Sequence, residues 1–376
     1  MSGPVRRGWS AGRLALLAGG VALLGWLGWG LAVVRPARAA RPGPVAGELR
    51  GAWHVHTTRS DGRGTLTEVL AAARAAGLQF VVVTDHNVLA PEDAGWHDGV
   101  LVIEASEASS RFGHVIAVGL PRALTLAERN GEPLEVIAAQ GGQAVLAHPF
   151  HPRRPWSGWE RGPWRGLEVV SNDTAWGEIT LGRGWSRLLP GLAALPFDSA
   201  RTVIGLVPST AREEAVLDAA LRGPRQVPAR RPDGTPAPPR VLLCSADAHG
   251  YPSYRAAFEA FSMHVPVRPS GDAAADGQAV LAALLDGRAT CVFDGVAPAA
   301  HVRLAADGKA LRLTAEAALD GAEAGLWRDG AVVASGRGEG GAIRFECPGG
   351  CGPGTYRAVV RRGGRPWLFT NPAVIE

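Results

Sequence analysis

Short apolar runs that end in histidine or a carboxylate recur along one stretch of the chain, and this recurrence limits the fold more than any other feature. Leu49–His54 reads as a strand that leads into His54-Val-His56, with Ser60-Asp61-Gly62 in the loop behind it. Phe80–Thr84 (FVVVT) is followed by Asp85-His86-Asn87. Glu107 and His114 flank the strands expected at Val100–Ile103 and His114–Val118. Ala144–Ala147 ends at His148-Pro149, and Val241–Ser245 runs into Asp247-Ala-His249. Helical segments alternate with these runs. Thr65-Leu-Thr-Glu68 is a capping box opening a helix that runs to Ala76 and stops at Gly77. Pro133 starts another, and 211–222 and 278–286 read as further helices. Strands at Leu167–Val170 and Ala289–Phe293 complete the series. Strand–helix alternation predicts a parallel α/β architecture, and in a parallel barrel the carboxyl-terminal strand ends meet at one face, where active sites form.

The residue types at those ends point to metal chelation. On extended backbone, His-x-His and Asp-x-His send both side chains to the same side. A lone histidine at a strand end is more often structural. Two paired motifs, together with Asp-His, His-Pro and a carboxylate, reverse that balance. Neutral imidazoles mixed with hard carboxylates suit Zn, Mn or Fe. Asp85 is expected either to orient a ligand imidazole or to cap the turn after it. His151, Arg153 and Arg154 follow the strand before His148, and an arginine there would either clamp a phosphate or lie solvated. Asn172 and Asp173 are candidate polar groups of a pocket. Trp156, Trp159, Trp164, Trp176 and Trp185, five of the twelve tryptophans, form a lid or wall, or pack on the barrel or a membrane surface. His97, His264 and His301 lack a partner pattern and read as structural. No Gly-x-Ser-x-Gly elbow is present, so a serine nucleophile is not expected.

In order, HVH, SDG, TDHN, E, GH, AHP and DAH resemble the PHP (polymerase and histidinol phosphatase) metallohydrolase superfamily over about residues 48 to 296. The resemblance implies a distorted seven-stranded (β/α) barrel with two or three divalent metal ions (Zn, Mn or Fe). It implies that His54, His56, Glu107 and Asp247 hold one ion and that Glu107, His114 and His148 hold the second, with Glu107 bridging. Asp61, His86 and His249 would hold the third. Glu104 is a rival for Glu107, whose spacing to Gly113-His114 fits the family pattern better. The apolar amino terminus, AHPF, CVFDG and a small β-domain ending in TNP look most like the CehA/McbA branch, which includes carbaryl hydrolase. The implied activity is hydrolysis by a metal-activated hydroxide. Glu107, Asp247, Asp85 and Arg153 are the candidate catalytic groups, and a small-molecule ester, most naturally a phosphoester, is the substrate. A carbamate, amide or carboxylic-ester hydrolase is the alternative within enzymes. A membrane-tethered metal-binding interaction module is the alternative outside them.

The ends of the chain have a different texture. Leu14–Val34 is 21 residues without a charge, between Arg6, Arg7 and Arg13 before it and Arg35, Arg38 and Arg41 after it. At 1.5 Å per residue it matches a hydrocarbon core of about 30 Å. It reads as an uncleaved signal anchor that leaves the remainder extracytoplasmic. Cleavage near Ala37-Arg38-Ala39, giving a secreted protein, is the alternative. The expected organisation is a basic segment 1–13, a transmembrane helix 14–34, a linker 35–47, a catalytic domain 48–297 and a β-sandwich domain 298–376. Short strands separated by turns such as Asp307-Gly308 and Asp329-Gly330 support the last. Cys347 and Cys351 could close a small disulfide loop, while Cys244 and Cys291 sit in apolar runs and read as buried hydrophobes. With 46% hydrophobic and 20% charged residues the chain is not disordered. Its net charge of +4 comes from scattered arginines, so no nucleic-acid partner is expected.

Overall fold

The computed structural model describes residues 10–35, 43–222 and 239–375. The flanking Arg6, Arg7, Arg38 and Arg41, the cleavage-like Ala37-Arg38-Ala39 and part of the linker lie outside the described residues. Helix α1 (Ala11–Trp29) continues without a break through a π-helical turn to Val34. Its 24 residues, at a mean hydropathy of 1.8, make it long and apolar enough for a membrane span or a signal sequence.

The body is mixed α/β. Its strands are β1 (Leu49–Val55), β2 (Phe80–Val83), β3 (Gly95–His97), β4 (Val100–Glu104), β5 (Ser106–Ser110), β6 (Gly113–Val118), β7 (Gln143–Leu146), β8 (Gly166–Ser171), β9 (Val241–Ala248), β10 (Ser262–Val265) and β11 (Thr290–Val292). Its helices are α2 (Leu66–Ala76), α3 (Leu126–Asn130), α4 (Pro133–Ala139), α5 (Asn172–Thr180), α6 (Trp185–Ala194), α7 (Ser199–Leu206), α8 (Ala211–Arg222), α9 (Tyr254–Ala260) and α10 (Ala273–Leu285). Thr65 and Glu68 form the capping box reciprocally, and Gly77 ends α2 at φ 76°, where a Cβ would be strained.

Strands β7, β8, β9, β1, β2 and β4 pair in parallel in that order. On the β7 side, β6 and then β5 follow antiparallel. A bridge between His86 and Glu107 brings β5 back alongside the end of β2. The apolar runs are buried on both faces, as parallel strands require: Val81, Val82, Leu242 and Leu243 are inaccessible to solvent.

The carboxyl-terminal unit holds β12 (Arg303–Asp307), β13 (Ala310–Thr314), β14 (Glu323–Arg328), β15 (Ala331–Glu339), β16 (Ala342–Phe345), β17 (Gly354–Arg362), β18 (Arg365–Thr370) and β19 (Ala373–Ile375), with a core of its own around Leu313, Leu326, Ile343 and Trp367. It is not loosely appended. Strand β18 pairs antiparallel with β11, so one sheet runs from the α/β body into it. Arg357 on β17 is buried, and its guanidinium donates to Asp218 at 2.9 and 2.7 Å and to Glu214 at 2.8 Å, both on α8.

Cysteine pairing departs from the sequence reading. Cys244 and Cys291 are buried, but they are joined in a disulfide that ties β9 to β11. The two residues lie 47 positions apart, on strands that only the folded sheet brings together, so their spacing carried no signal. Cys347 and Cys351, which could close a small loop, are joined in a disulfide.

Candidate metal centre

Histidines and carboxylates from six strand ends and loops meet at one place. Glu107 on β5 is its centre. Its Oε1 lies 2.7 Å from His114 Nδ1 and 3.0 Å from His148 Nε2. Its Oε2 lies 3.2 Å from His54 Nε2, 3.1 Å from His56 Nε2 and 3.1 Å from His86 Nδ1. Each oxygen thus faces a different set of imidazoles. Asp247 Oδ1 stands 3.5 Å from His54, 3.6 Å from His56 and 3.5 Å from His249. Asp61 lies 3.4 Å from His86 and 3.3 Å from His249. All nine sequence-predicted donors therefore fall in one cluster.

Its subdivision is finer than three separate ions would need. Donor atoms within 4.8 Å of one another form four overlapping groups. These are His54 with His56 and Asp247, His54 with Glu107 and His148, His86 with Glu107 and His114, and His56 with Asp61, His86 and His249. Each group could hold a metal ion. His148 shares its group with His54, and His114 shares its group with His86.

The backbone there is not the plain extended strand that the motif suggested. His54 sits at φ 69°, Asp247 at φ 39° and His148 at φ 28°. The register of β1 slips on both edges around His54. Left-handed backbone is unfavourable for residues with a Cβ, and here it occurs where three donors turn into the cluster. It brings His54 Nε2 and His56 Nε2 to 2.9 Å of each other.

Electrostatics follow from the crowding. Burial pushes the Glu107 carboxyl up, but the charge on His54 and hydrogen bonds from His114, His148 and His54 hold it well below the usual range. Burial pulls His148 and His249 down. Glu107 and Asp247 around the first, and Asp61 and Asp247 around the second, lift both to about 9. His56 and His114 stay low because burial dominates.

The donor set fits divalent cations. Two imidazole Nε2 atoms converge with little room for a proton on each, and three carboxylates supply negative charge among mostly buried groups. Glu168 on β8, which the sequence reading passed over, completes the fit. Its Oε1 accepts from His54 Nδ1 and from the Trp53 indole, each at 2.8 Å, and its Oε2 accepts from the His148 amide at 2.8 Å. With Nδ1 donating, His54 turns its Nε2 lone pair toward the cluster. A glutamate inside an otherwise apolar strand is the signal that could have found it.

Other candidates separate clearly. Asp85 does not bond the His86 ring. Its carboxylate accepts from Thr57 N at 2.8 Å, Thr57 Oγ1 at 2.6 Å and Ser60 Oγ at 2.5 Å, and so fixes the loop that carries Asp61. Glu104 belongs to none of the donor groups, and burial pushes it up to about 8. A cavity of about 230 Å³ opens on the cluster, and Arg153, Arg154, His151, Asp173, Trp176 and Thr180 also line it. Arg153 donates to Thr180 Oγ1 at 2.9 Å. Asn172 is used structurally, donating to the Ala246 carbonyl. Trp156 and Trp164 are buried, Trp176 lines the cavity and Trp185 is exposed, so the tryptophan segment is no single lid. His264 is buried between Glu48 and Asp294, away from the cluster.

No family model matches the chain. An uncharacterised protein of Methanocaldococcus jannaschii is 30% identical over 88 residues, which is 22% of this chain and 52% of that protein. The chain thus spans about half the length of the curated relative it matches. Among solved structures, a two-domain protein from Bacteroides vulgatus containing a predicted PHP-like metal-dependent phosphoesterase is similar over 89% of this chain and 99% of that one, at 14% identity and a TM-score of 0.38. An amidohydrolase from Chromobacterium violaceum, with bound sulfate and no metal, is similar over 35% of this chain and 84% of that one, at 14% identity and a TM-score of 0.25.

Proposed function

We propose that this chain is a membrane-anchored, metal-dependent hydrolase of the PHP type that acts on phosphoesters. The observation that carries the reading is the convergence of nine donors, with five imidazoles around the Glu107 carboxylate, beside a cavity that two arginines also line. In this reading β1, β2, β4 with β5, β6, β7, β8 and β9 are the seven staves of a distorted barrel. The barrel ends near residue 297, and a β-sandwich follows it. His54, His56, Asp61, His86, Glu107, His114, His148, Asp247 and His249 hold two or three divalent ions. Such ions, when bound, would supply Lewis acidity and draw the pKa of water toward about 7.

The protein groups do the remainder. Glu107 and Asp247 fix the cluster's spacing and hold its negative charge. Asp85 keeps the Asp61 loop in place through Thr57 and Ser60, and Glu168 fixes the His54 tautomer. Arg153 and Arg154 bind the anionic ester at the mouth, and an arginine suits a phosphate in a two-pronged manner. A carbamate or carboxylic-ester substrate of the carbaryl-hydrolase kind is the second reading. The Trp176–Tyr251 ring pair, with centroids 5.1 Å apart beside the cavity, favours it as a seat for an aryl group. Two disulfides and α1 support an extracytoplasmic body tethered to the membrane.

Assay of the full chain with Mn or Zn against bis-p-nitrophenyl phosphate, p-nitrophenyl phosphate and 1-naphthyl carbamate tests the proposal. Turnover of a phosphate ester that a chelator abolishes is expected. Turnover of the carbamate alone would overturn the phosphoester assignment.

A further inference from the structure

Outside α1, the exposed large apolar side chains among the described residues are mostly isolated: Leu126, Tyr251, Val332 and Val374 each stand alone in sequence. Helix α6 and its flanks are the exception, with Leu181, Trp185, Leu189, Leu192 and Leu195 inside 15 residues. Trp185, Leu189 and Leu192 lie at helical spacing i, i+4, i+7 and form one ridge, 57%, 63% and 47% exposed. The other side of α6, with Leu188, Gly191 and Ala194, is buried, and Thr202 of α7 donates to the Gly191 carbonyl at 2.9 Å. The open ridge is apolar next to a packed face that is apolar too, and the polar residues of α6, Ser186 and Arg187, lie outside both.

What covers the open face follows from what α6 touches. The Trp26 indole on α1 donates to the Ala193 carbonyl at 2.9 Å, and the Trp26 and Phe197 rings lie 5.2 Å apart. The α1 helix of 24 residues is about 36 Å long, about 6 Å more than a hydrocarbon core. Trp26 precedes Val34 by about two turns, or about 12 Å. A centred span therefore places the α6 contact about 9 Å inside the hydrocarbon boundary, within the ~5–10 Å depth at which interfacial helices lie. Arg183 beside α6 and Arg35 at the end of α1 are exposed cations suited to lipid headgroups.

We infer that α6 is a membrane-interface helix, with the Trp185–Leu189–Leu192 ridge seated in the headgroup–acyl boundary of the bilayer that α1 spans. The inference rests on α1 being retained as a span. Because α5, immediately before α6, contributes Trp176 and Thr180 to the cavity, the mouth of the metal centre then opens close to the lipid surface.

All four native cysteines are paired, so one introduced cysteine is the sole free thiol. L189C, V21C and V332C full-length chains, each labelled with an environment-sensitive fluorophore, are reconstituted in vesicles of phosphatidylcholine and phosphatidylglycerol with and without nitroxide-labelled lipid. Residues Leu189 and Val332 are both 63% exposed, so neither substitution disturbs a core. About twofold or greater quenching at 189 and at 21, with none at 332, is expected. Quenching at 21 alone overturns the inference and leaves the anchor standing. A blue-shifted but unquenched label at 189 denotes a protein partner, such as a second copy, and also overturns it. No quenching at any position overturns both the inference and the anchor, and equal quenching at all three overturns a specific seat for α6.

Discussion

Glu168 holds His54 by a 2.8 Å hydrogen bond from Nδ1, so the imidazole can offer only Nε2 to the cluster. Both oxygens of Glu168 face donors: His54 and Trp53 on one, the His148 amide on the other. Glutamine would set an NH2 group against one of these donors and leave it unpaired. E168Q is therefore expected to lower metal affinity by about 10- to 100-fold, although Glu168 belongs to none of the donor groups. Metal titration by calorimetry checks this, with E168D recovering part of the affinity. Unchanged affinity in E168Q would remove Glu168 from the design.

Strain at the donors gives a second test. His148 is held at φ 28°, where a Cβ is crowded and glycine is not. H148G and H148A both abolish one donor and leave similar space. The glycine variant is expected to be more stable than the alanine variant by about 1 kcal/mol, the reverse of their usual order. Chemical denaturation of the two metal-free chains measures the difference. Greater stability in H148A would mean the turn carries no strain.

The Cys244–Cys291 bridge closes a loop of 47 residues, which loop-closure entropy values at about 4 kcal/mol. It also ties β9, which carries Asp247, to β11. Reductant is expected to lower the melting temperature of the native chain. C244A/C291A should start lower and respond far less to reductant. Equal response in both would show that the bridge contributes nothing.

Much of this centre could be read from the chain, and the reasons are local. Each donor follows an apolar run, and a parallel sheet brings the ends of such runs together whatever their separation in sequence. The capping box at Thr65 and the stop at Gly77 are short-range signals, and α2 forms as they dictate. Other features depend on tertiary proximity. Glu168 reads as one polar residue in a strand until β8 is placed beside β9 and the end of β1. Cys244 and Cys291 read as apolar filler until β10 sets β11 near β9. Helices α5, α6 and α7 carry no clear sequence signal because Gly, Pro and Trp scattered through 172–206 obscure any single period. Asp85 stands next to His86 in sequence, whereas its oxygens serve the loop that follows β1, at Thr57 and Ser60.

The charge balance predicts how metal and pH interact. In the metal-free chain burial lowers the His249 pKa, but Asp61 and Asp247 raise it from the ordinary 6.5 to about 9. A raised pKa contributes stability that is fully present below about 6.5 and is lost as pH rises through about 9. Metal requires the neutral imidazole, so its binding strengthens over the same window. The gap in melting temperature between metal-loaded and chelated chains should therefore widen from pH 6.5 to 9, as differential scanning fluorimetry would record. A gap that narrows with rising pH would contradict the role of His249 as a donor.

Metal content of the purified full chain, by elemental mass spectrometry alongside bis-p-nitrophenyl phosphate hydrolysis, tests the centre most directly. Four donor groups that overlap through His54, His56, His86 and Glu107 call for two or three divalent ions per chain and for hydrolysis that falls with their removal. A chain that binds one ion or none, and turns over no ester with Mn or Zn supplied, would contradict it.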